Sequence, residues 1–196
     1  MLLKNRVRLW MQGVVVLSWF LCHISLAAAF DFSDWDALVK KHVKTTTIDG
    51  VTLNAIAYKD LKEDPGFKRV VDGLKTASFD GLKIQEEKLS FWINVYNILA
   101  AKVVVDNYPV KSINDVGSIF KKVWKRPAGV VAGEERTLDE VEHQILRKMG
   151  DPRIHVAIVC ASVSCPDIRM EAYTAEKLNE QLDDQMRKFL ENKEKG

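Results

Sequence analysis

Glycine and proline are sparse, 10 and 5 residues in 196, and the short signatures they often build are missing. There is no glycine-rich phosphate loop and no G-x-S-x-G elbow, which removes the common nucleotide-binding and serine-hydrolase patterns. Nor is there a C-x-x-C, H-x-H or H-E-x-x-H spacing, so no zinc site is written locally in the chain. No internal period of about 20–50 residues occurs, and no heptad runs the length of the chain, which excludes solenoids and long coiled coils. Neither sign of charge dominates, with 29 basic and 27 acidic residues. What is present is the composition of a globular domain: 47% hydrophobic, 9% aromatic and 29% charged.

The first thirty residues read as a targeting segment. Lys4, Arg6 and Arg8 precede the apolar run from Val14 to Leu21, and Ser25-Leu26-Ala27-Ala28-Ala29 precedes the polar Asp31. This pattern predicts a signal peptide over residues 1–29, cut after Ala29, and export to the periplasm or the medium. An uncleaved membrane anchor is the alternative, because residues 9–30 are long enough to cross a bilayer. Trp19-Phe20-Leu21 before Cys22 lacks the small residues expected around a lipidated cysteine. Cleavage leaves residues 30–196 as one globular domain with a formal balance of −1. Such a domain carries no electrostatic footprint for nucleic acid or an anionic membrane, and no integral membrane association remains. Cys160 and Cys165 are the two cysteines left, in a compartment that permits oxidation.

Along the domain, Ser33 with Asp34 and Asp36 opens a first helix that stops near Thr45-Thr46-Thr47. Residues 51–58 partly alternate and predict a short strand or extended arm, and Asp64-Pro65-Gly66 opens a second helix. The strongest segment runs from Gln85 to Asn107, where so few positions suit solvent that the helix should be central and buried. Residues 129–138 read as a hairpin turning at Gly133, and Thr137-Leu138-Asp139-Glu140 is a capping box for a helix to Met149. Residues 154–161, apolar on both faces and β-branched, predict an interior strand. Thr174 caps a last amphipathic helix with Leu178, Leu182, Met186 and Phe189. The expected class is α+β: a mostly helical single domain with a small sheet of about three strands.

The chemistry-bearing residues converge on few candidates. Cys165 follows the end of the apolar run on a loop of small and polar residues, and its bond to Pro166 restricts its direction. His143 is the best-placed imidazole by elimination, with Asp139, Glu140 and Glu142 close enough in sequence to orient it. Asn97, inside the buried helix, either ties a neighbouring loop in place or lines a pocket, because a buried amide needs partners. Arg153 pairs with a carboxylate of the protein or of a substrate. Two other readings stand beside the thiol nucleophile. Cys160 and Cys165 are five residues apart and can form a local disulfide, which leaves no nucleophile, and Cys165 can also be inert. His143, His155, Cys165 and Glu142 are acceptable metal ligands in type but not in spacing, so no metal or other cofactor is expected.

Several blocks together resemble a known family. Phe91-Trp92-Ile93-Asn94-Val95-Tyr96-Asn97, Tyr108-Pro109, Ser112-Ile113, residues 138–146 with Glu142-His143, Asp151-Pro152-Arg153-Ile154-His155 and Ser164-Cys165-Pro166 are similar, in order and spacing, to the domain-of-unknown-function 547 family, often exported bacterial proteins. The similarity spans roughly Trp35 to Leu190. The resemblance implies Asn97, Glu142, His143, Arg153 and Cys165 as the emphasised positions and supplies no activity. It also implies an aromatic-rich segment beyond the last helix, where this chain ends at Gly196, so a site walled by that segment would be reduced here. Together these readings predict a thiol-dependent hydrolase or acyl transferase acting on a small-molecule or peptide substrate. Cys165 is its nucleophile, His143 the base, Glu142 or Asp139 the orienting group, and Asn97 polarises the acyl oxygen. The rival is a non-catalytic envelope binding or scaffold domain, with Glu142, His143 and Arg153 in a buried network.

Overall fold

The computed structural model describes residues 30–110, 113–116 and 122–195, so the targeting segment read over residues 1–29 lies outside the described residues. The core is organised by α4 (Gln85–Asn107), which is buried without a break from Leu89 to Ala101. A helix with no solvent face must be surrounded, and the remaining elements wrap it. Its start is fixed by the Glu87 carboxylate, which accepts the Lys83 and Ile84 N–H groups at 2.6 and 3.0 Å.

Around it lie α1 (Ser33–His42), α2 (Tyr58–Glu63) and α3 (Pro65–Leu74). The Asp64 side chain caps α3 by accepting the Gly66 N–H at 2.8 Å. α1 is entered differently from the sequence reading: Ser33 is its first residue, and Asp31 accepts the Ser33 N–H at 2.8 Å.

The strands form two separate antiparallel hairpins. β1 (Val43–Ile48) pairs with β2 (Val51–Ile56), and β3 (Pro127–Val131) with β4 (Glu134–Thr137). Each turns on two left-handed residues, Asp49-Gly50 and Ala132-Gly133, the geometry that matches the twist of paired strands. The mostly helical α+β single domain is as expected, with its strands divided between two sheets. The Thr45-Thr46-Thr47 run, read as the end of a helix, lies in β1, where β-branched side chains suit an exposed pleat.

The interior strand predicted over residues 154–161 does not form. Asp151 accepts the Arg153 N–H at 2.9 Å and starts a turn, α6 (Ile154–Ala157) follows as a single helical turn, and only then does the chain extend through Ile158. No strand runs beside it among the described residues. The side chain of Asn97 takes a strand's place, donating to the Ala157 carbonyl at 3.0 Å and accepting the Val159 N–H at 2.9 Å. Tertiary hydrogen bonding thus overrode a β-branched composition.

The same device repeats at the C-terminal segment. Asn94 holds both backbone groups of Tyr173 at 2.8 and 2.9 Å, and Gln181 of α7 (Leu178–Glu191) bonds the Ala172 carbonyl and the Thr174 N–H. Thr174, expected to cap this helix, caps the turn before it.

Candidate functional site

Half of the capping box at Thr137 forms: the hydroxyl accepts the Glu140 N–H at 3.0 Å, while the Glu140 carboxylate pairs with Arg136. The helix it opens does not stay regular. α5 (Leu138–Glu140) widens into a π-helical turn over Val141–Leu146 and tightens again over Arg147–Met149 before Gly150 ends it at φ 80°. π-turns are rare and concentrate at functional sites. This one carries Glu142 and His143.

His143 Nδ1 lies 3.1 Å from the Asp139 backbone carbonyl and 3.9 Å from its carboxylate. A carbonyl only accepts, so Nδ1 carries the proton and Nε2 is left as a proton acceptor. Glu142 is bound by Arg147 at 2.9 Å.

Tyr96, Trp124, Asp139, Glu142, His143 and Cys160 line one cleft of about 180 Å³. Tyr96, on α4, is 3% exposed, and its hydroxyl makes no hydrogen bond among the described residues. Burial, and then the charges of Glu142 and Asp139, push its pKa up, so the hydroxyl stays protonated and is a donor facing the cleft.

Cys160 and Cys165 are joined by a disulfide with their Cα atoms 6.3 Å apart, within the range such a bond spans. The chain extends at Ile158 and turns at Ala161, whose φ is 53°. Cys160 lines the His143 cleft, whereas Val159 and Ala161 line a small apolar cavity against β2.

The residues singled out in the sequence are therefore distributed as follows. Glu142 and His143 share the cleft. Cys165 does not line it and is bonded to Cys160. Asn97 is committed to the backbone of residues 157–159, the first of its two expected roles. Arg153 pairs with Asp151 and Asp183 at 2.7 Å each and with Asn179 at 2.7 Å. Glu142, His143 and Arg153 thus have separate partners and form no common network, and the His143 side chain is 44% exposed. Among the described residues no group of three His, Cys, Asp or Glu converges as a metal site.

Tyr96 and Trp124 were missed as site residues. A Tyr within a buried helix and a lone Trp look like core, and only the packing of α4 against the π-turn gives them an open face.

Larger hollows lie elsewhere, one of about 320 Å³ around Arg169 and one of about 600 Å³ beside Tyr173. Their charged groups are mostly paired with one another, as Lys40 with Asp36 and Arg169 with Glu171 and Asp184, which leaves little to recognise a ligand. The 180 Å³ cleft instead gathers an acceptor imidazole, an unspent hydroxyl and a sulfur.

A family model described as "Protein of unknown function, DUF547" matches residues 79–190, from just before α4 to the end of α7. No curated protein and no solved structure matches the chain.

Proposed function

The chain belongs to the DUF547 family, and from that membership and the cleft we propose an exported thiol-dependent hydrolase or acyl transferase whose nucleophile is Cys160 rather than Cys165. The observation that carries this reading is that Cys160 and His143 line one cleft while the imidazole is held by Asp139 through Nδ1. A dithiol reductant first opens the Cys160–Cys165 bond; the reductant leaves as its own disulfide and both cysteines become thiols. His143 Nε2 then takes the Cys160 proton, and the thiolate attacks an acyl carbon to form a C–S bond. Tyr96 donates to the oxygen that gains charge, the role the sequence reading gave to Asn97. The bond to the leaving group breaks, the leaving group takes the proton from His143, and water or an amine removes the acyl group from sulfur. Asn97 is a positioning residue, because it holds the segment from which Cys160 projects. The substrate is a small molecule or peptide.

One observation favours a second reading. The bonded sulfurs suit a non-catalytic envelope binding domain in which the disulfide is architectural.

Alkylation with iodoacetamide over a pH series separates the two. The oxidised chain should not react. After reduction, Cys160 should react at neutral pH, and His143→Ala should slow it at least tenfold, as loss of a paired imidazole raises the thiol pKa. Cys165→Ala should react without reductant, and Cys160→Ala should lose the fast phase. A reduced Cys160 no faster than an ordinary thiol, with or without His143, leaves the binding domain. Export is tested by the mass of the chain in the envelope or medium, which should begin at Phe30.

A further inference from the structure

We infer that the His143 cleft takes a primary alkylammonium group, such as a lysine side chain or a short amine. The inference rests on the reading above for the cleft being the working site and deepens it by naming the acyl acceptor. Two walls of the cleft are aromatic, Tyr96 and Trp124, and two carry carboxylates, Asp139 and Glu142, while among the described residues no Lys or Arg lines it. Arg147 neutralises part of Glu142, but among the described residues the nearest cationic partner of the Asp139 carboxylate is the His143 ring at 3.9 Å.

A second, independent feature points to a ligand. Tyr96 is 3% exposed, lines the cleft, and has no hydrogen-bond partner for its hydroxyl among the described residues. That leaves a hydroxyl with no partner among the described residues in a space bounded by carboxylates and π-faces. An anion would meet two carboxylates there. An ammonium has donors for the carboxylates and the phenol oxygen, and its charge is attracted by the indole face. The volume, about 180 Å³, falls below the ~300–1,000 Å³ of sites for drug-sized ligands and suits one side-chain-sized group.

In the acyl-transfer sequence the ammonium must lose a proton, which His143 Nε2 accepts. The amine nitrogen then attacks the thioester carbon; the C–N bond forms, the C–S bond breaks, the second nitrogen proton passes to the departing sulfur, and Cys160 leaves as a thiol. Hydrolysis is the same step with water in place of the amine.

The test is a titration of the full chain, disulfide intact, with n-butylammonium and with the uncharged isostere n-butanol, followed by amide and indole NMR shifts. The ammonium should give saturable shifts at Tyr96, Trp124 and Asp139 to His143, and the alcohol none. Asp139→Asn and Trp124→Leu should each weaken binding about tenfold, while Arg153→Met, outside the cleft, should leave it unchanged. Absence of saturable shifts, an equal response to butanol, or unchanged affinity in Asp139→Asn overturns the inference. Because Cys160 is oxidised throughout, a null titration leaves the alkylation result standing, and a failed alkylation leaves a positive titration as a binding site.

Discussion

Asn97 and Val159 are joined as two strands would be: the Asn97 carboxamide oxygen accepts the Val159 N–H at 2.9 Å, and its nitrogen donates to the Ala157 carbonyl at 3.0 Å. Removing the amide orphans both backbone groups, each costing about 1–3 kcal/mol when buried. Asn97→Leu, close in size, should lower the unfolding free energy by about 2–4 kcal/mol in urea titration. An unchanged midpoint would show that this clamp contributes nothing.

His143 should behave in the opposite way. Its side chain is 44% exposed, so His143→Ala should change stability by no more than about 0.5 kcal/mol while slowing alkylation of Cys160. A loss of several kcal/mol in a thermal melt would place His143 in a structural network instead.

Arg153 tests the separation of structure from chemistry. Its guanidinium fastens Asp151 to Asp183 and Asn179, tying the turn before α6 to α7. Arg153→Met should cost about 1–2 kcal/mol, since the pairs are partly exposed, and leave the alkylation rate of the reduced chain as it was.

Lys195 reaches the disulfide loop from the far end of the chain, donating to the Cys165 carbonyl at 2.7 Å and pairing with Asp167, with only 2% of its side chain exposed. Lys195→Met leaves these acceptors without their cation. We expect a loss of about 1–3 kcal/mol and faster amide exchange over residues 160–167. Exchange unaltered in that loop would refute the tether.

Asp184 supplies a pH signature. Burial pushes its carboxyl up, but the bonds from Lys188 and Arg169 outweigh burial and hold it at about 2, below the ordinary 3.8. A carboxyl depressed in the folded state stabilises the fold above its unfolded pKa and loses that contribution as pH falls through the folded value. Asp184→Asn should therefore melt below the wild type at pH 6, and the gap should close between about pH 4 and pH 2. A gap independent of pH would mean that the charge is not what matters.

Legibility differed between the long and the short elements. α4 is legible from Gln85 to Asn107 because its apolar residues continue for several turns and its exit meets Tyr108-Pro109. The β3–β4 turn and the Thr137 cap were also readable, since Gly133 and Thr137 act within two or three residues of themselves. Residues 154–161 failed for a non-local reason. Whether a β-branched run becomes a strand depends on a partner, and the partner was a side chain 60 positions away.

The site shows the same division. His143, Glu142 and the two cysteines were visible as residue types, but nothing local said which cysteine would face the imidazole. The packing of residues 158–160 beside α4 and the π-turn decided it, by placing Cys160 in the lining of the His143 cleft.

By itself, then, the order of residues determined a mostly helical α+β domain with a buried central helix, because hydrophobic periodicity and capping are local. Only the tertiary structure decided that Cys160 lines one cleft with His143 and that Asn97 serves the backbone. Both depend on which groups meet across the packed core, and contact between distant segments is not encoded in spacing.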